Sequence, residues 1–332
     1  MIIKMSLKET LWVLLTMGLL LLVIILSMMC GTSFITLSEI IAYFMHPSES
    51  VNQFTLEVLR LPRITLALLT GMAFGISGLL LQNVLKNPIA SPDIIGVTGG
   101  ASLCAVSVIT LFNSISIHML PLFAILGGTL AMMCLLLFQF RTPIRPSTLI
   151  IIGIALQTLF IALTHGLMVT SKEFAASKAY TWLVGSLYGS AFEDTFAVLI
   201  TIIAIIPILI LLIPRMKVAA LDDDIGRALG LHLKQTKLLQ LIVATLLVSV
   251  SVSYVGNIGF VGLIAPHIAK TLIKQSTLKQ VMMSACIGAL SILLADLVGR
   301  TLFLPKEIPA GVFIAAFGAP FFIYLLLTVK KM

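Results

Sequence analysis

A polar turn interrupts the apolar sequence at residues 79–93, which read LLLQNVLKNPIASPD. Its amides can donate and accept hydrogen bonds, and its prolines end helices. These residues are Gln82, Asn83, Asn87, Pro88 and Pro92. In water the stretch would be an ordinary turn, but between two membrane spans each buried polar group needs a partner.

Three arginines and an aspartate have types and spacing suited to ion pairing. The segment RLPR places Arg60 and Arg63 before an apolar run, and LLADLVGR ends in Arg300, four residues after Asp296. This spacing allows an Asp296–Arg300 pair on one helix. Arginines on one external face could also bind carboxylates of a partner by paired hydrogen bonds, although exposed arginines are usually just solvated.

The longest polar stretch, residues 214–237, predicts a short amphipathic helix. Acidic residues cap a helix start and complement its dipole, which places that start at Asp222 to Asp224. An apolar face at i, i+3 and i+4 and then a helix stop are provided by Ile225, Ala228, Leu229 and Gly230. The helix would rest on the lipid surface or dock on a partner, and composition alone leaves both open.

The sequence lacks the patterns of an enzyme active site. No G-x-x-x-x-G-K-[ST] segment occurs, so this chain has no recognisable nucleotide site of that kind. His267, beside Pro266, is expected to be structural, because the five histidines form no ligand-spaced cluster. The four cysteines lie in apolar stretches without C-x-x-C spacing, which predicts small buried thiols without a metal or disulfide. We expect no catalytic residue, metal site or cofactor.

Composition places these residues in a membrane protein, since 59% of the 332 residues are hydrophobic and 10% are charged. A helix of about 20 apolar residues crosses a bilayer. Such runs predict an all-α polytopic protein with ten spans, or nine if the short eighth run is not one. The first run is a retained span, because it is too long for a signal peptide and lacks a small-residue cleavage site. The spans are placed at 11–30, 64–85, 94–112, 119–140, 148–169, 195–213, 238–256, 258–272, 281–303 and 308–329.

The charged residues indicate an orientation. With the N-terminus inside, 15 of the 21 lysines and arginines fall in cytoplasmic segments, as the positive-inside rule expects. Both termini are then cytoplasmic, and the net charge of +8 reflects topology, with nucleic-acid binding a remote alternative. None of the 13 carboxylates falls at the centre of a span, which argues against ion-coupled transport.

Two clusters of small residues predict close helix packing. Gly71, Gly75 and Gly78 recur at three- and four-residue spacing, which lets helix backbones approach in lipid. The second span would line or brace a pathway, or simply make generic packing contacts. The other cluster, GVTGGAS at 96–102, is not a phosphate loop, because no Lys-Ser/Thr follows it.

Seven ordered segments resemble the FecCD-like permease subunits of type II ABC importers, which include vitamin B12, haem and iron–siderophore permeases. They are RLPR, GISGLLLQNVLKNPIASPDIIGVTGGA, TWLVGSLYG, LDDDIGRALGL, GNIGFVGLIAPHIAK, LLADLVGR and EIPAGVFIAAFGAPFF, and they extend over nearly the whole chain. The resemblance implies one transmembrane permease domain at 1–332, with a cytoplasmic coupling loop at 214–237. It also implies a second permease subunit, two cytoplasmic ABC ATPases, an extracytoplasmic substrate-binding protein, a cell-membrane location and no cofactor.

The resemblance also implies roles for individual residues. ATPase coupling is expected from Asp223, Arg227, Ala228, Leu229 and Gly230, and binding-protein docking from Arg60, Arg63 and Arg300. The inner mouth or gate is expected at Gln82, Asn83, Asn87, Pro88, Ser147 and Thr148. The amides there would satisfy backbone groups that the prolines free, with pathway lining by the first two as a lesser alternative. The segment PIRP, before the last two, departs from the family pattern.

The function implied is passage of iron(III)–siderophore complexes through the permease of an ATP-driven importer. Because the pathway offers no ligand-spaced metal residues, a metal would cross inside its chelate. Haem or cobalamin is the alternative cargo within the family. An ion-coupled secondary transporter and a non-transporting membrane scaffold are alternatives of other classes.

Overall fold

The computed structural model describes residues 7–112, 117–138 and 145–329, and this part of the chain is helical without strands. A π-helical turn, Thr55–Arg60, leads directly into the third α-helix. The α-helices are α1 (Leu7–Met29), α2 (Leu37–Met45), α3 (Leu61–Val84), α4 (Val97–Leu111), α5 (Leu120–Leu137), α6 (Pro146–Thr170), α7 (Glu173–Val184), α8 (Phe192–Ala219), α9 (Asp223–Ala228), α10 (Leu233–Val255), α11 (Val261–Leu272), α12 (Thr277–Thr301) and α13 (Ala310–Val329).

Each of the ten predicted spans corresponds to a helix, and the expected all-α polytopic fold is confirmed. In the described ranges, seven helices are long and apolar enough to cross a membrane, namely α1, α3 with its π-turn, α5, α6, α8, α10 and α12. Three shorter apolar helices are α4, α11 and α13. The sequence predicted α9 between the spans but missed α2 and α7, which are short and surface-lying.

The polar connection between α8 and α10 is shorter than the predicted loop at 214–237. Helix α8 continues through Pro214 to Ala219, and α10 begins at Leu233. A proline inside a helix removes one backbone hydrogen bond, which a membrane helix tolerates when neighbouring groups satisfy the freed carbonyl. The connection therefore consists of residues 220–232, with α9 in its middle.

The bundle has two ends, which we name after α2 and α9. At the α2 end, Arg63 near the start of α3 pairs with Glu307 before α13. At the α9 end, Lys86 just after α3 pairs with Asp223 of α9. Glu9, near the start of α1, accepts hydrogen bonds from backbone amides just before α12, which also begins at the α9 end. The described chain therefore begins and ends at the α9 end.

Helix α3 lies at the centre of the bundle and touches α11 and α12 backbone to backbone. A methyl group added at Gly78 would lie 1.8 Å from the carbonyl oxygen of Gly262 in α11. One added at Gly75 would lie 2.2 Å from the carbonyl oxygen of Ser284 in α12. The Ser284 hydroxyl also donates to the Gly75 carbonyl at 2.7 Å. The close packing predicted for these glycines is confirmed.

The second glycine cluster has the same role in the neighbouring helices. A methyl group at Gly100 of α4 would lie 2.6 Å from the carbonyl oxygen of Gly127 in α5. Gly96, which precedes α4, has a φ of 85°, a conformation that favours glycine. These contacts pack α4 closely against α5.

Two helices are too short to cross a bilayer alone. Helix α11 has 12 residues, which rise about 18 Å, against a hydrocarbon core of about 30 Å. A short 3₁₀-helical turn, Pro92–Ile95, and Gly96 precede α4, and an irregular segment, 256–260, precedes α11. Much of each segment is buried, including Ile95 and Ile258. Irregular backbone at membrane depth requires such enclosure by protein.

The outer helices present apolar side chains to their surroundings. On α6 the exposed side chains are Ile151, Ile154, Leu159, Ile161 and Leu163, and on α8 they include Ile200, Ile203 and Ile210. Helices α3 and α10 are in contrast mostly enclosed. Apolar outer faces suit a chain that is surrounded by lipid or by a second membrane subunit.

Candidate functional site

The polar turn after α3 is held by contacts with other helices. Gln82 is buried, and its Oε1 accepts a hydrogen bond from Lys270 Nζ at 3.1 Å while its Nε2 donates to the Leu263 carbonyl at 3.4 Å. Asn83 Nδ2 lies 3.5 Å from the carbonyl oxygen of Met216 in α8. The two carbonyls belong to α11 and α8 and are not ones that the prolines of the turn free, and Gln82 faces α11 inside the subunit.

The end of the turn is held by a hydrogen bond between residues of the turn itself. Asn87 Oδ1 accepts a hydrogen bond from the amide of Ile89 at 3.1 Å, and Pro88 beside it is exposed. This geometry fixes a sharp turn between α3 and the segment before α4. The inner-mouth role predicted for Gln82, Asn83, Asn87 and Pro88 stays a prediction.

Helix α9 begins and ends where the sequence predicted. The Asp222 carboxylate accepts a hydrogen bond from the Asp223 amide at 3.1 Å. Gly230 follows the helix with a φ of 80°, the left-handed conformation that commonly ends helices. Gly226 is buried against Leu233 of α10, so one side of α9 rests on the bundle.

The opposite side of α9 exposes the predicted apolar face. Ile225 and Leu229 are 52% and 63% exposed, and Ala228 between them is also exposed. Arg227 lies beside this face and pairs only loosely with Asp224, because both side chains are open to solvent. An exposed apolar patch on a polar connection suits either a protein partner or a lipid surface, so both alternatives stay open.

Asp223 differs from its acidic neighbours, because two lysines hold its carboxylate. Oδ2 accepts a hydrogen bond from Lys237 Nζ, and Oδ1 accepts one from Lys86 Nζ, both at 2.9 Å. The hydrogen bonds from Lys237 and Lys86 lower the pKa of Asp223 below its usual value. Of the five residues predicted to contact an ATPase, Asp223 is therefore engaged within its own chain.

The predicted gate residues lie in the first turn of α6. Ser147 is exposed and Thr148 is half-buried. The segment before them falls partly at 139–144, outside the described residues. The gate role of Ser147 and Thr148 stays a prediction.

Two of the predicted docking arginines are buried, contrary to the external exposure that we expected. Arg60 is 3% exposed and donates to the carbonyl oxygens of Met28 and Met29. Arg300 is 5% exposed and donates to the carbonyl oxygen and hydroxyl of Ser27. The last carbonyls of a helix lack partners within the helix. The two guanidinium groups therefore cap the end of α1.

Arg63 is held by two carboxylates at the same end of the bundle. Its Nε donates to both oxygens of Asp296, at 2.8 and 3.0 Å, and its Nη1 donates to Glu307 at 2.8 Å. Arg300 Nε lies 3.5 Å from the other side of the Asp296 carboxylate. The Asp296–Arg300 pair predicted from i, i+4 spacing is confirmed, with Arg63 as a third member.

The three arginines also line one cleft at the α2 end, with a volume of about 340 Å³. Glu307 and Tyr188 contribute to the same cleft. A carboxylate entering it would meet guanidinium groups that already donate to partners in this chain. The docking role of Arg60, Arg63 and Arg300 stays a prediction.

The cysteines correct another expectation. Cys134 is exposed and Cys30, Cys104 and Cys286 are partly exposed, so none is the enclosed thiol that apolar surroundings predicted. In a membrane helix an apolar sequence does not imply burial, because lipid accepts apolar side chains. Within the described ranges, no three His, Cys, Asp or Glu side chains come together as metal ligands.

Sequence reasoning missed the two lysines that hold Asp223. Lys86 lies in the polar turn, and its backbone has a φ of 46° immediately after the end of α3. Lys237 lies in α10 and is 4% exposed. Neither the burial of Lys237 nor the left-handed backbone of Lys86 can be read from the sequence, so no sequence signal pointed to these two lysines.

With this geometry in place, comparison with known proteins decides the family. The model of the FecCD transport family matches residues 19–328. The chain belongs to the FecCD transport family. This FecCD permease is 39% identical over 270 residues to the Achromobactin transport system permease protein CbrC of Dickeya dadantii, covering 81% of this chain and 77% of that protein.

Two further comparisons extend over more of the FecCD permease. It is 36% identical to the "Probable siderophore transport system permease protein YfhA" of Bacillus subtilis, over 93% of this chain and 92% of that protein. A solved metal-chelate type ABC transporter in an inward-facing conformation matches it with a TM-score of 0.83 and 29% identity. That match covers 96% of this chain and 99% of the solved one, so the fold is shared throughout.

Proposed function

We propose that this chain is the membrane-spanning permease subunit of an ATP-driven importer for iron(III)–siderophore complexes. The observation that carries the proposal is the similarity to permeases named for achromobactin and siderophore transport, over 81% and 93% of this chain. The similarity to a metal-chelate type transporter adds support from the fold. Haem or cobalamin is the alternative cargo.

The proposed complex contains a second permease, two cytoplasmic ATPases and an extracytoplasmic binding protein. The sequence has no Walker A motif, so ATP would be bound by another polypeptide. The exposed apolar face of α9 supports docking of that ATPase, through Arg227, Ala228, Leu229 and Gly230. The α9 end would be cytoplasmic, together with both termini.

The second permease subunit would pack against an apolar outer face of the bundle. Helices α6 and α13 both present exposed apolar side chains, including Ile151, Ile154, Phe317 and Ile323. The same faces would otherwise contact lipid. The translocation path would run between the two permeases, with the chelate crossing intact.

The binding protein would deliver the chelate at the α2 end. A glutamate from it would reach Arg60, Arg63 and Arg300 only through the cleft that they line. It would compete there with Glu307, which holds Arg63 at 2.8 Å. ATP binding would then displace α9 and change which end of the permease pair is open.

Uptake by a deletion strain and its complemented parent tests this function. The cells receive ⁵⁵Fe as citrate, hydroxamate and catecholate chelates, labelled haem and labelled cobalamin. We expect loss of one ferric chelate, restored by this gene only with an ATPase subunit that can hydrolyse ATP. Loss of haem or cobalamin uptake alone would replace the proposed cargo. No loss, with redundant importers removed, would refute the transport function.

The coupling role of α9 has its own test. Replacing Leu229 by Asp places a charge on the apolar face, which should separate ATP hydrolysis from uptake without affecting insertion in the membrane. Asp224→Asn is the matched control, because Asp224 is open to solvent on the same helix. Normal uptake by the Leu229→Asp variant would show that α9 is not the coupling element.

A further inference from the structure

Lys86 adopts a backbone conformation that is unfavourable for residues other than glycine. It follows Leu85, the residue that caps α3, and has a φ of 46°. Glycine is the usual residue just past a helix end in this conformation, because it has no Cβ to clash. A lysine at this position gives the turn an ammonium group that glycine could not supply.

That ammonium group joins the turn to the connection that carries α9. Lys86 Nζ donates to the Leu221 carbonyl at 2.7 Å and to Asp223 Oδ1 at 2.9 Å. Lys237 of α10 donates to the other oxygen of Asp223 at 2.9 Å. Charge-assisted hydrogen bonds are the strong ones, so α9 is tied at its first residue to the turn and to α10.

The residues that follow Lys86, toward α4, pack against α6. A methyl group at Gly153 of α6 would lie 2.3 Å from the carbonyl oxygen of Ile94, so the two backbones touch there. Three residues into α4, the Gly99 amide donates to the side chain of Gln157 in α6 at 3.0 Å. The segment between Lys86 and α4 therefore lies against the first half of α6, whose first turn holds Ser147.

We infer that the cluster of Lys86, Asp223 and Lys237, named here the brace, transmits displacement of α9 to the start of α6. Asp223 is then a positioning residue of the coupling mechanism, and the ATPase is met by other residues of α9. The inference rests on the proposed function, because it assigns a mechanical route to the coupling proposed there.

The surroundings of the charged residues of α9 distinguish positioning within the permease from contact with the ATPase. Both oxygens of Asp223 accept from lysines of this chain, and its side chain is 36% exposed. Asp224 is 93% exposed and, among the described residues, pairs loosely with Arg227. Of two adjacent aspartates with the same chemistry, one joins helices of the permease and the other faces solvent. Their replacement by asparagine therefore compares the two positions with the same chemical change.

The test follows α6 directly in the assembled transporter. Ser147→Cys is placed in a chain whose four native cysteines are replaced by serine. The complete complex, reconstituted in liposomes, is treated with a soluble maleimide without nucleotide and after trapping with ATP and vanadate. The alkylation rate of the cysteine reports the surroundings of the start of α6 and needs no transported cargo.

The brace predicts a specific pattern in this rate. With the brace intact, trapping should change it about fivefold or more, the scale of an ordinary coupling free energy. Asp224→Asn should keep that change. Lys86→Met and Asp223→Asn should each reduce it to less than about twofold while ATP hydrolysis continues. Combining Lys86→Met with Asp223→Asn should not reduce the change in alkylation rate further, because both substitutions remove the contact between Lys86 and Asp223.

Lys86→Met is the second variant in case Asp223→Asn misfolds, because it leaves the buried Lys237 paired with Asp223. A nucleotide response that survives both Lys86→Met and Asp223→Asn would overturn the inference. An absent response with the brace intact, in a complex that takes up its chelate, would also overturn it and leave the function standing. Failure of ATP-dependent uptake itself would remove the proposed function and the inference together.

Discussion

Replacing Asp296 by Ala should be among the most damaging single changes at the α2 end. Its carboxylate is 1% exposed, receives three donor contacts from Arg63 at 2.8–3.0 Å, and faces Arg300 Nε at 3.5 Å. Removal leaves two arginines, 12% and 5% exposed, side by side without that counter-charge. Breaking such a buried pair costs about 3–5 kcal/mol.

Glu307→Ala is the control, because it removes a carboxylate from the same arginine at a more exposed position. Glu307 is 28% exposed and bonds to Arg63 at 2.8 Å. Pairs near the surface contribute about 0–1 kcal/mol. The expected loss of stability is therefore several-fold larger for Asp296→Ala than for Glu307→Ala, although both substitutions remove one negative charge.

Thermal unfolding of the purified permease in detergent measures this difference. At about 2–4 °C per kcal/mol, Asp296→Ala should lower the apparent melting temperature by at least roughly 6 °C. Glu307→Ala should lower it by less than about 4 °C. Equal shifts would refute the assignment of Asp296 as the counter-charge for buried arginines.

Three further changes test other parts of the structure. Gly78→Ala should reduce folded yield, because the new methyl group would lie 1.8 Å from a carbonyl oxygen of α11, whereas Gly18→Ala, with nothing within 4 Å, should not; equal yields would contradict the close packing. Arg60→Met should loosen the end of α1 and raise the alkylation rate of Cys30, and an unchanged rate would argue against the cap. Two lysines lower the pKa of Asp223, so its contribution to stability is complete above the unfolded-state pKa and lost as pH falls through the lower folded-state pKa. The difference in stability from Asp223→Asn should therefore be constant near neutral pH and shrink below about pH 4, and a constant difference at acid pH would contradict the ion pairing.

The spans and α9 were accessible to sequence reasoning because their signals are local. A bilayer requires long apolar runs, and a cap, an apolar face and a terminal glycine define a short helix. Helix α2 has the same kind of signal, with Thr36 and Glu39 forming a capping box, but its nine residues were overlooked beside long apolar runs. The extension of α8 through Pro214 was also mispredicted, because proline ends helices more reliably in water than in a membrane.

The contacts of charged side chains were not accessible in the same way. Nothing near Arg60 in the sequence indicates that its partners are the carbonyls of α1, some 30 residues earlier. Asp223 and Asp224 are the same residue type, and both lie at the start of α9. Only the fold places two lysines beside Asp223. The i, i+4 pair of Asp296 and Arg300 was predictable because a single helix carries both residues.

The backbone contacts of α3 restrict how this permease can change shape. Rotating or sliding α3 against α11 or α12 would drive Gly75 and Gly78 into the carbonyl groups that they touch, so these helices have no independent freedom. We therefore expect α3, α11 and α12 to move together in a transport cycle. Helix α6 is less enclosed, since much of its surface faces outward, although Gly153 touches the backbone of the segment before α4. Two glycines of α3, each with only a hydrogen for a side chain, therefore determine which helices of this permease are held together.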